Sequence, residues 1–253
     1  MCDINSKNLG RCLCIITGAS KGFGRSLALQ VPPILQAGSV LFLVARTGSL
    51  LQDLKTELEK LVVSQGVVVQ CVAADLSTVE GVTETLQAAR QESVNDFDHV
   101  LLINNAASLG DISQFSAFTD PAEVNSYISF NVSSALALTA GVLQAFPQRP
   151  GLRRTVVNVS SVFAHEPLPR WVLYCTAKAA RYMMFKVLAK EEPDVKVLSY
   201  SPGPMDTEMQ VEIFKQTGIR RKLMPCQEPG AKLLKLVLDS DFSSGAHLDY
   251  FDL

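Results

Sequence analysis

The sequence alternates short, continuous apolar runs with longer segments that have helical periodicity. Runs without polar alternation are typical of parallel β-strands that are covered on both faces. The candidate strands are Cys12–Ile16, Val40–Val44, Val67–Val72, Val100–Ile103, Thr155–Val159 and Val195–Tyr200. The helix-length segments are Gly22–Gln36, Ser49–Val63, Val79–Val94, Pro121–Ala145 and Trp171–Lys190. This alternation predicts an α/β fold, a three-layer sandwich with right-handed crossovers between strands.

Length and charge limit the number of domains and the classes of partner that such a chain can have. The chain has 253 residues, 47% of them hydrophobic, and contains no repeat or linker, so we expect one domain over residues 1–253. The 23 basic and 25 acidic residues give a net charge of −2. A surface near neutrality argues against nucleic acid as a partner, because polyanion binding needs a basic stripe.

Neither membrane insertion nor secretion is indicated. No apolar run reaches the roughly 18 residues that a span requires, since candidates are broken by Pro32 and Pro33, by Asn131 to Ser134, or by charges. The segment before Cys12 is polar and lacks the basic-then-apolar layout of a signal peptide. The six cysteines show no metal-type spacing with histidine, so we expect no metal site. We expect a cytoplasmic protein that does not bind membranes.

A glycine-rich turn follows the first candidate strand directly. Residues 17–24 read T-G-A-S-K-G-F-G, with glycines at 18, 22 and 24, where the strand must turn into a helix. Glycine tolerates positive φ and lets the backbone approach a ligand closely. The helix that follows offers free N–H groups and a partial positive charge to a pyrophosphate. The turn therefore predicts a dinucleotide site, although its spacing differs from G-x-G-x-x-G.

The end of the second candidate strand favours one cofactor over another. An acidic residue about 20 positions past the glycines would bind a ribose 2′-hydroxyl. Here residues 44–47 read V-A-R-T without a carboxylate, and Lys21 in the glycine turn adds a cation to Arg46. A guanidinium fork suits a 2′-phosphate, so NADP is favoured over NAD. After the third strand, Asp75 and Leu76 are placed to contact adenine, although Asp75 suits a helix N-cap equally well.

A serine, a tyrosine and a lysine follow the fifth candidate strand. Ser161 precedes Tyr174 by thirteen residues, and Lys178 comes four residues after the tyrosine. On a helix, positions i and i+4 share a face, so the phenol and the ammonium can reach one ligand. A nearby cation lowers the pKa of a tyrosine, which makes Tyr174 a candidate general acid, while Ser161 can hold the same carbonyl oxygen. Asn131 is a candidate for holding a water that resupplies protons.

Two stretches interrupt the regular pattern. Pro32 and Pro33 lie inside the first helical segment, where proline removes a hydrogen bond, so we expect a break near Val31. The stretch Val211–Pro225 has no clean period and contains several basic residues. It fits a mobile flap and a surface helix with its loop equally well.

Together the motifs resemble those of the short-chain dehydrogenase/reductase family. The matching segments are Thr17–Gly24, Asn104–Ala106, Asn131, Ser161, Tyr174 to Lys178, and Pro202 with Gly203, in that order. The resemblance implies a Rossmann-type sheet of seven parallel strands and a catalytic tetrad of Asn131, Ser161, Tyr174 and Lys178. Ala107 departs from the family, which usually has glycine at that position.

The same resemblance implies a set of residues that bind NADPH or NADP+. They are Gly18, Ser20, Lys21, Gly22, Phe23, Gly24, Arg46, Asp75, Leu76, Asn105, Tyr174, Lys178, Pro202, Gly203 and Thr207.

The segments that flank the motifs resemble a branch of the family that reduces the side-chain ketones of pterins. They include Leu102–Asp111, Asn158–Ser161, Trp171–Cys175, Ser201–Thr207 and Ser244–Asp249. Enzymes of this kind use NADPH, complete tetrahydrobiopterin synthesis and are cytosolic homodimers. The resemblance implies Asp249 as the substrate anchor, since a carboxylate accepts two neighbouring N–H groups of a pterin. Further substrate-binding candidates are Ser161, Tyr174, Leu109, Trp171 and Met205, and a packing role suits Trp171 nearly as well.

Two other functions remain open at this point. One is a broader NADPH-dependent carbonyl reductase for diketones, quinones or steroids. The other is a non-catalytic NADP(H)-binding sensor or scaffold that keeps the fold. The intact Ser161, Tyr174 and Lys178 weigh against the second.

The segment Asn131–Phe146 is apolar on more than one helical face and has few polar breaks. A helix of this kind needs a second partner. Together with Trp171–Lys190 it can form a two-fold, four-helix interface. We therefore expect a homodimer through residues 121–146 and 171–190.

Overall fold

A computed structural model of the chain describes residues 7–93 and 96–253. Seven strands form one sheet in the order β3-β2-β1-β4-β5-β6-β7, and every neighbouring pair is parallel. The strands are β1 Cys12–Thr17, β2 Val40–Ala45, β3 Val68–Ala73, β4 His99–Asn104, β5 Arg153–Val159, β6 Val195–Ser201 and β7 Ala246–Asp249. The Rossmann-type α/β sheet expected from the sequence is confirmed, and each of the six strands predicted individually lies within about two residues of its observed bounds.

Helices cover both faces of this sheet. They are α1 Gly22–Gln30, α2 Gly48–Val62, α3 Val79–Ala89, α4 Pro121–Ile128, α5 Ser134–Ala145, α6 Val172–Glu191, α7 Glu208–Thr217 and α8 Gln227–Asp239. Side chains of β1 alternate between the two layers: Cys12, Cys14 and Ile16 pack with α1, α2 and α8, while Leu13 and Ile15 face the α5 side. Burial on both faces explains why the strands lack polar alternation.

The chain order reverses at β1, which lies between β2 and β4. The connections from β1 and β4 therefore leave the sheet in opposite directions. In open α/β sheets, ligands bind outside the carboxyl ends of the strands at such a switch point. The glycine turn after β1 and residues 105–109 after β4 meet there.

The observed helices agree with the sequence prediction in one irregular place and differ from it in two others. The break expected near Val31 is confirmed, since α1 ends at Gln30 and Pro32–Ile34 forms a short 3-10 turn. The continuous segment predicted over Pro121–Ala145 is divided by a π-helical turn at Ser129–Ser133. Helix α8 was not predicted, because Pro229 and Gly230 in its first turn hide its periodicity. The end predicted for the third helix, at Val94, lies outside the described residues.

The segment Pro121–Ala145 is also long and apolar enough, by length and composition, to span a membrane. Its α5 part packs against α3 and β4, and Leu138 and Val142 are buried in the core there. This is the packing of a core helix. Within residues 7–93 and 96–253, the cysteines are free thiols, and no group of three or more potential ligands is arranged to hold a metal ion.

Candidate active site

A cleft of about 870 Å³ runs along the carboxyl edge of the sheet, from the glycine turn to the last strand. This volume is typical of a site for a cofactor and a small substrate. Most of the residues predicted as site residues line it: Gly18, Ser20, Lys21, Gly22, Phe23, Arg46, Leu76, Asn105, Leu109, Ser161, Trp171, Tyr174, Lys178, Pro202, Gly203, Met205, Thr207 and Asp249. Gly24, Asp75 and Asn131 are not part of this lining.

The glycine turn depends on the absence of side chains. Gly18 and Gly22 have φ values of +65° and +49°, in the left-handed region that favours glycine. A Cβ atom at Gly24 would lie only 2.3 Å from the Gly18 carbonyl oxygen. Gly24 therefore supports the fold of the turn, while the backbone of Gly18 and Gly22 faces the cleft.

Asn105 fastens this turn to the end of β4. Its side-chain amide donates to the carbonyl oxygens of Thr17 at 2.8 Å and Gly18 at 3.3 Å. The backbone N–H groups of Asn105 and Ala106 both donate to the Thr17 hydroxyl at 3.0 Å. These bonds fix the two loops at the switch point relative to each other.

The cations beside the glycine turn, at the end of the cleft predicted to hold adenosine (the adenosine end), are exposed. The Arg46 guanidinium lies 5.8 Å from the centre of the Phe130 ring and lines the cleft. Lys21 Nζ forms an ion pair with Glu208, the first residue of α7, at 2.8 Å. Lys21 therefore has a carboxylate partner across the cleft that the sequence prediction did not include.

Asp75 belongs to the loop that closes this end. Its carboxylate accepts the Ser77 N–H at 2.9 Å, and this hydrogen bond lowers the pKa of Asp75. The N-cap of α3 is Thr78, whose hydroxyl accepts the Gly81 N–H, so the alternative N-cap role for Asp75 is wrong. Leu76 contributes an apolar wall to the cleft.

Tyr174 and Lys178 share the inner face of α6, as the i and i+4 spacing predicts. Lys178 Nζ lies 5.5 Å from the centre of the Tyr174 ring and donates to the Val159 carbonyl at 2.8 Å. Burial, and then the neighbouring Arg181, hold the pKa of Lys178 well below its usual value. Burial raises the pKa of Tyr174, although a hydrogen bond with Ser161 lowers it, so the lowered pKa expected from the neighbouring lysine is wrong.

Asn131 lies in the π-helical turn and is only 2% exposed. Its side-chain oxygen accepts the Ser108 N–H at 2.9 Å, and its amide donates to the Ser108 hydroxyl and the Tyr127 carbonyl, each at 3.0 Å. The side chain is thus occupied in joining the turn to the loop after β4. π-Helical turns inside α-helices occur frequently at functional sites.

Arg181, one turn beyond Lys178, is a buried residue behind the site that sequence reasoning missed. It is 1% exposed, and its guanidinium contacts the ends of β4 and β5 and the π-helical turn. The signal was weak, because an arginine in an amphipathic helix is usually assigned to the solvent face.

The substrate end of the cleft contains an oriented carboxylate. Asp249 Oδ2 accepts the Ser201 hydroxyl at 2.6 Å, and Oδ1 accepts the Phe251 N–H at 2.9 Å. Trp171 is 4% exposed and packs edge-on against Tyr174, with ring centres 5.7 Å apart. Trp171 therefore both packs in the core and lines the cleft, so the two roles weighed for it are compatible.

A cluster of rings beside Ser160 and Ser161 was also not predicted. The ring centres of His165 and His247 are 4.4 Å apart, and Tyr182 lies 4.2 Å from His165. His247 Nε2 lies 3.1 Å from the Ser160 hydroxyl. Burial, and then His165, lower the pKa of His247, so its imidazole is largely neutral near pH 7.

The stretch Val211–Pro225 forms the end of α7 and the loop that follows it, which is the second of the two alternatives. Ile213 is buried against Leu109 and Trp171. The Gln216 amide donates to the Gly110 carbonyl at 3.2 Å, and its oxygen accepts the Ile112 N–H at 2.8 Å. These contacts place α7 over the substrate end of the cleft.

Curated relatives are similar to this chain over nearly its whole length. It is 49% identical to sepiapterin reductase of Xenopus laevis over 257 residues, covering 96% of this chain and 97% of that protein. It is 46% identical to sepiapterin reductase of Mus musculus, covering 98% of this chain and 100% of that protein. It is 32% identical to benzil reductase ((S)-benzoin forming) of Bacillus subtilis (strain 168), covering 79% of this chain and 77% of that protein.

Solved structures have the same fold. The oxidoreductase yciK from E. coli aligns with a TM-score of 0.78 at 25% identity, covering 96% of each chain. A short-chain dehydrogenase from Shigella flexneri complexed with NADP aligns with a TM-score of 0.78 at 24% identity, covering 97% of this chain and 99% of that one. The family model described as short chain dehydrogenase matches residues 13–218. The chain therefore belongs to the short-chain dehydrogenase family, as a soluble oxidoreductase that acts on a small molecule with the nicotinamide cofactor NAD(P)H.

Proposed function

We propose that this protein reduces the side-chain ketones of pterins with NADPH, with sepiapterin and 6-pyruvoyl-tetrahydropterin as substrates. The observation that carries this proposal is one continuous cleft that joins the glycine turn, Tyr174 and Asp249. The similarity to sepiapterin reductases at 45–49% identity supports the choice of substrate. The reaction is the final step of tetrahydrobiopterin synthesis, carried out by the chain as one domain over residues 1–253 in the cytoplasm.

The residues present fit NADPH. Gly18 and Gly22 offer backbone at positive φ, without side chains, to a pyrophosphate beside the N-terminus of α1. No carboxylate stands at the end of β2, where Arg46 is placed to bind a 2′-phosphate with Lys21. Tyr174, Lys178 and Thr207 lie further along the same cleft, towards the nicotinamide position. When bound, NADPH supplies a hydride.

Asp249 orients the pterin in this proposal. The Ser201 hydroxyl and the Phe251 N–H each use one lone pair of its two carboxylate oxygens and so fix the plane of the group. The remaining lone pairs accept the amino group and the ring N–H of a pterin in a paired geometry. Leu109, Trp171 and Met205 provide apolar walls for the flat ring.

Tyr174 and Ser161 hold the ketone oxygen and supply its proton. Because burial raises the pKa of Tyr174, the phenol is protonated at neutral pH, as a general acid for reduction must be. Ser161 donates to the same oxygen as negative charge develops on it. Lys178, fixed by the Val159 carbonyl, faces both Tyr174 and the cofactor, and Asn131 keeps the loop after β4 in place. The protein supplies positioning and electrostatics, whereas the hydride chemistry belongs to the cofactor.

We also propose that the protein is a homodimer through residues 121–146 and 171–190. A groove of about 470 Å³ lies between α5 and α6, lined by apolar residues that include Leu136 and Val187. Both side chains are exposed in one subunit, at 54% and 44%. A two-fold partner would bury them. Light scattering at micromolar concentration should give twice the chain mass, and Leu136→Glu should give the mass of one chain; a monomeric wild-type protein would contradict the proposal.

A broader carbonyl reductase is the second candidate. The 32% identity to a benzil reductase favours it, because benzil is a diketone. A diketone lacks the paired N–H edge that Asp249 would bind, so the two functions differ in their dependence on this carboxylate.

The test compares substrates at equal concentration. NADPH oxidation is measured with sepiapterin and with diacetyl, a simple diketone, and each assay is repeated with NADH. The proposal predicts faster turnover of sepiapterin and a strong preference for NADPH. Turnover of diacetyl without turnover of sepiapterin would instead establish the broader reductase.

A further inference from the structure

Arg181 is the largest side chain that is fully buried in the described structure, and it is an arginine rather than an apolar residue. It lies on α6, three residues after Lys178 and seven after Tyr174, on the inner face of the helix. In the described residues, no carboxylate forms an ion pair with it. Burial of a cation without a counter-ion is costly, so such a residue usually has a functional reason.

The guanidinium instead joins three segments that carry the active site. Nη2 donates to the Asn104 carbonyl at 2.6 Å, and Nη1 donates to the Ala106 carbonyl at 3.1 Å, both at the end of β4. Nη1 also lies 3.5 Å from the Asn131 carbonyl of the π-helical turn. Nε donates to Asn158 Oδ1 on β5 at 2.8 Å.

We propose that Arg181 is a positioning residue for the reduction: its buried guanidinium holds the π-helical turn and the ends of β4 and β5 against α6, and it places a cation on the helix face that carries Tyr174. This inference rests on the proposed role of Tyr174 as the general acid. It does not depend on which ketone is the natural substrate.

Several neighbouring groups, including Arg181, alter the pKa of Tyr174. Burial is the largest influence and raises the pKa of the phenol, and the hydrogen bond with Ser161 lowers it. Arg181 and Arg221 lower this pKa further, by smaller amounts. A positive charge stabilises phenolate and so makes the phenol a better proton donor. The other titratable groups that face Tyr174 and Arg181 are Cys175 and Lys178 on α6, Tyr127 on α4, and Glu212 on α7 beside Tyr127.

The contacts of Arg181 also fix the position of α6 relative to the loops of the cleft. Asn131 joins the π-helical turn to the loop after β4 through Ser108, and Arg181 joins both to α6. Without the guanidinium, α6 loses these links to the loops that form the cofactor cleft. A displacement of about 1 Å between reacting groups can lower a rate by about a hundredfold.

Two variants separate the effect of the positive charge of Arg181 from the effect of its planar guanidinium. Arg181→Lys keeps the cation but loses the planar fork, and Arg181→Met keeps the length without the charge or the donors. Lys190→Met, which removes an exposed cation from the last turn of the same helix, is the matched control. Thermal unfolding and NADPH binding by fluorescence are recorded for each variant. If the methionine variant does not fold, the lysine variant still tests the positioning role of the guanidinium, which a wild-type kcat in Arg181→Lys would overturn.

The readouts are kcat against pH and an ultraviolet titration of the Tyr174 phenolate, taken as the difference from Tyr174→Phe in each background. We expect Arg181→Met to lower kcat about a hundredfold and to move both the alkaline decline of kcat and the phenolate titration to higher pH. Arg181→Lys should lose about tenfold in kcat and keep both pH midpoints near those of the wild type. Lys190→Met should match the wild type.

The proposal is overturned if Arg181→Met keeps the wild-type kcat and pH midpoints. It is also overturned if both variants lose activity only in parallel with thermal stability and NADPH binding, with the midpoints unmoved, since that is the outcome of a purely structural role. The kinetic assays use whichever of sepiapterin and diacetyl the wild type reduces. Absence of sepiapterin turnover therefore overturns the proposed substrate, while the Arg181 variants can still be compared with diacetyl as the substrate.

Discussion

The two ends of the cleft differ in how deeply their charged side chains are buried and in what those side chains contact. At the catalytic end, Lys178 and Arg181 are 4% and 1% exposed, and their donors face carbonyl and amide oxygens. At the adenosine end, the side chains of Lys21 and Glu208 are 48% and 74% exposed and pair with each other. Charged side chains are thus buried against neutral acceptors at one end and exposed in an ion pair at the other.

This difference in burial predicts different roles for the charged side chains at the two ends. Charges interact strongly where water is excluded, so small changes at the catalytic end alter proton affinity and reaction rate. Exposed charges are screened within about 10 Å at 0.1 M salt, so substitutions of Arg46 and Lys21 should change the proposed preference for NADPH by modest, salt-dependent amounts. Substitutions at the buried end should therefore have larger effects than substitutions at the exposed end.

The largest effect is expected from Tyr174→Phe. Removal of the proton donor should lower kcat by about 10² to 10⁴-fold, the usual contribution of a general acid, while NADPH still binds. Stopped-flow or steady-state NADPH oxidation measures the rate, and NADPH fluorescence measures binding. Tyr182→Phe on the same helix is the matched control and should retain activity; equal turnover in the Tyr174 variant would refute the assignment.

A smaller and substrate-specific effect is expected from Asp249→Asn. Loss of a charge-assisted pair should lower kcat/KM for sepiapterin by about 10 to 100-fold, with diacetyl turnover unchanged. Asp252→Asn, a neighbouring exposed carboxylate at the same end of the cleft, is the control. A parallel loss with both substrates would mean that Asp249 supports the fold rather than the pterin.

At the exposed end, Arg46→Ala should lower kcat/KM for NADPH about tenfold at low salt and leave the value for NADH unchanged. The loss should shrink as salt rises, because the missing interaction is screened. Lys60→Ala, an exposed cation at the end of α2, controls for net charge. An equal effect on NADH would place Arg46 away from the 2′-phosphate.

The smallest effect is expected from Glu208→Gln. This variant frees Lys21 from its partner for the 2′-phosphate, so the affinity for NADPH should rise about two- to fivefold, in line with the energy of an exposed ion pair. Titration of NADPH fluorescence gives the change. Glu57→Gln, which breaks an exposed pair with Arg25, is the control. A fall in affinity would show that the Lys21–Glu208 pair supports cofactor binding.

Local spacing made much of the site predictable from sequence. The glycine turn, the Tyr174–Lys178 pair and the Pro32–Pro33 break each depend on a few neighbouring residues and on backbone geometry. Their positions in the structure match because one strand end or one helix face suffices to place them.

Features that depend on distant contacts were not predictable in the same way. The burial of Arg181 requires acceptors from β4, β5 and the π-helical turn, 23 to 77 residues away along the chain. The Lys21–Glu208 pair joins positions 187 residues apart. The π-helical turn at Asn131 leaves no mark in apolar periodicity, because its flanking helices share one apolar pattern.

The central claim is that this cleft reduces a pterin side-chain ketone with NADPH. It is tested most directly by incubating the protein with sepiapterin and NADPH that carries deuterium at both C4 positions of the nicotinamide. Mass spectrometry of the reduced pterin should show one deuterium on the carbon that bears the new hydroxyl, and no label with ordinary NADPH in deuterium-free buffer. Recovery of unchanged sepiapterin, or of reduced pterin without deuterium, would contradict the account.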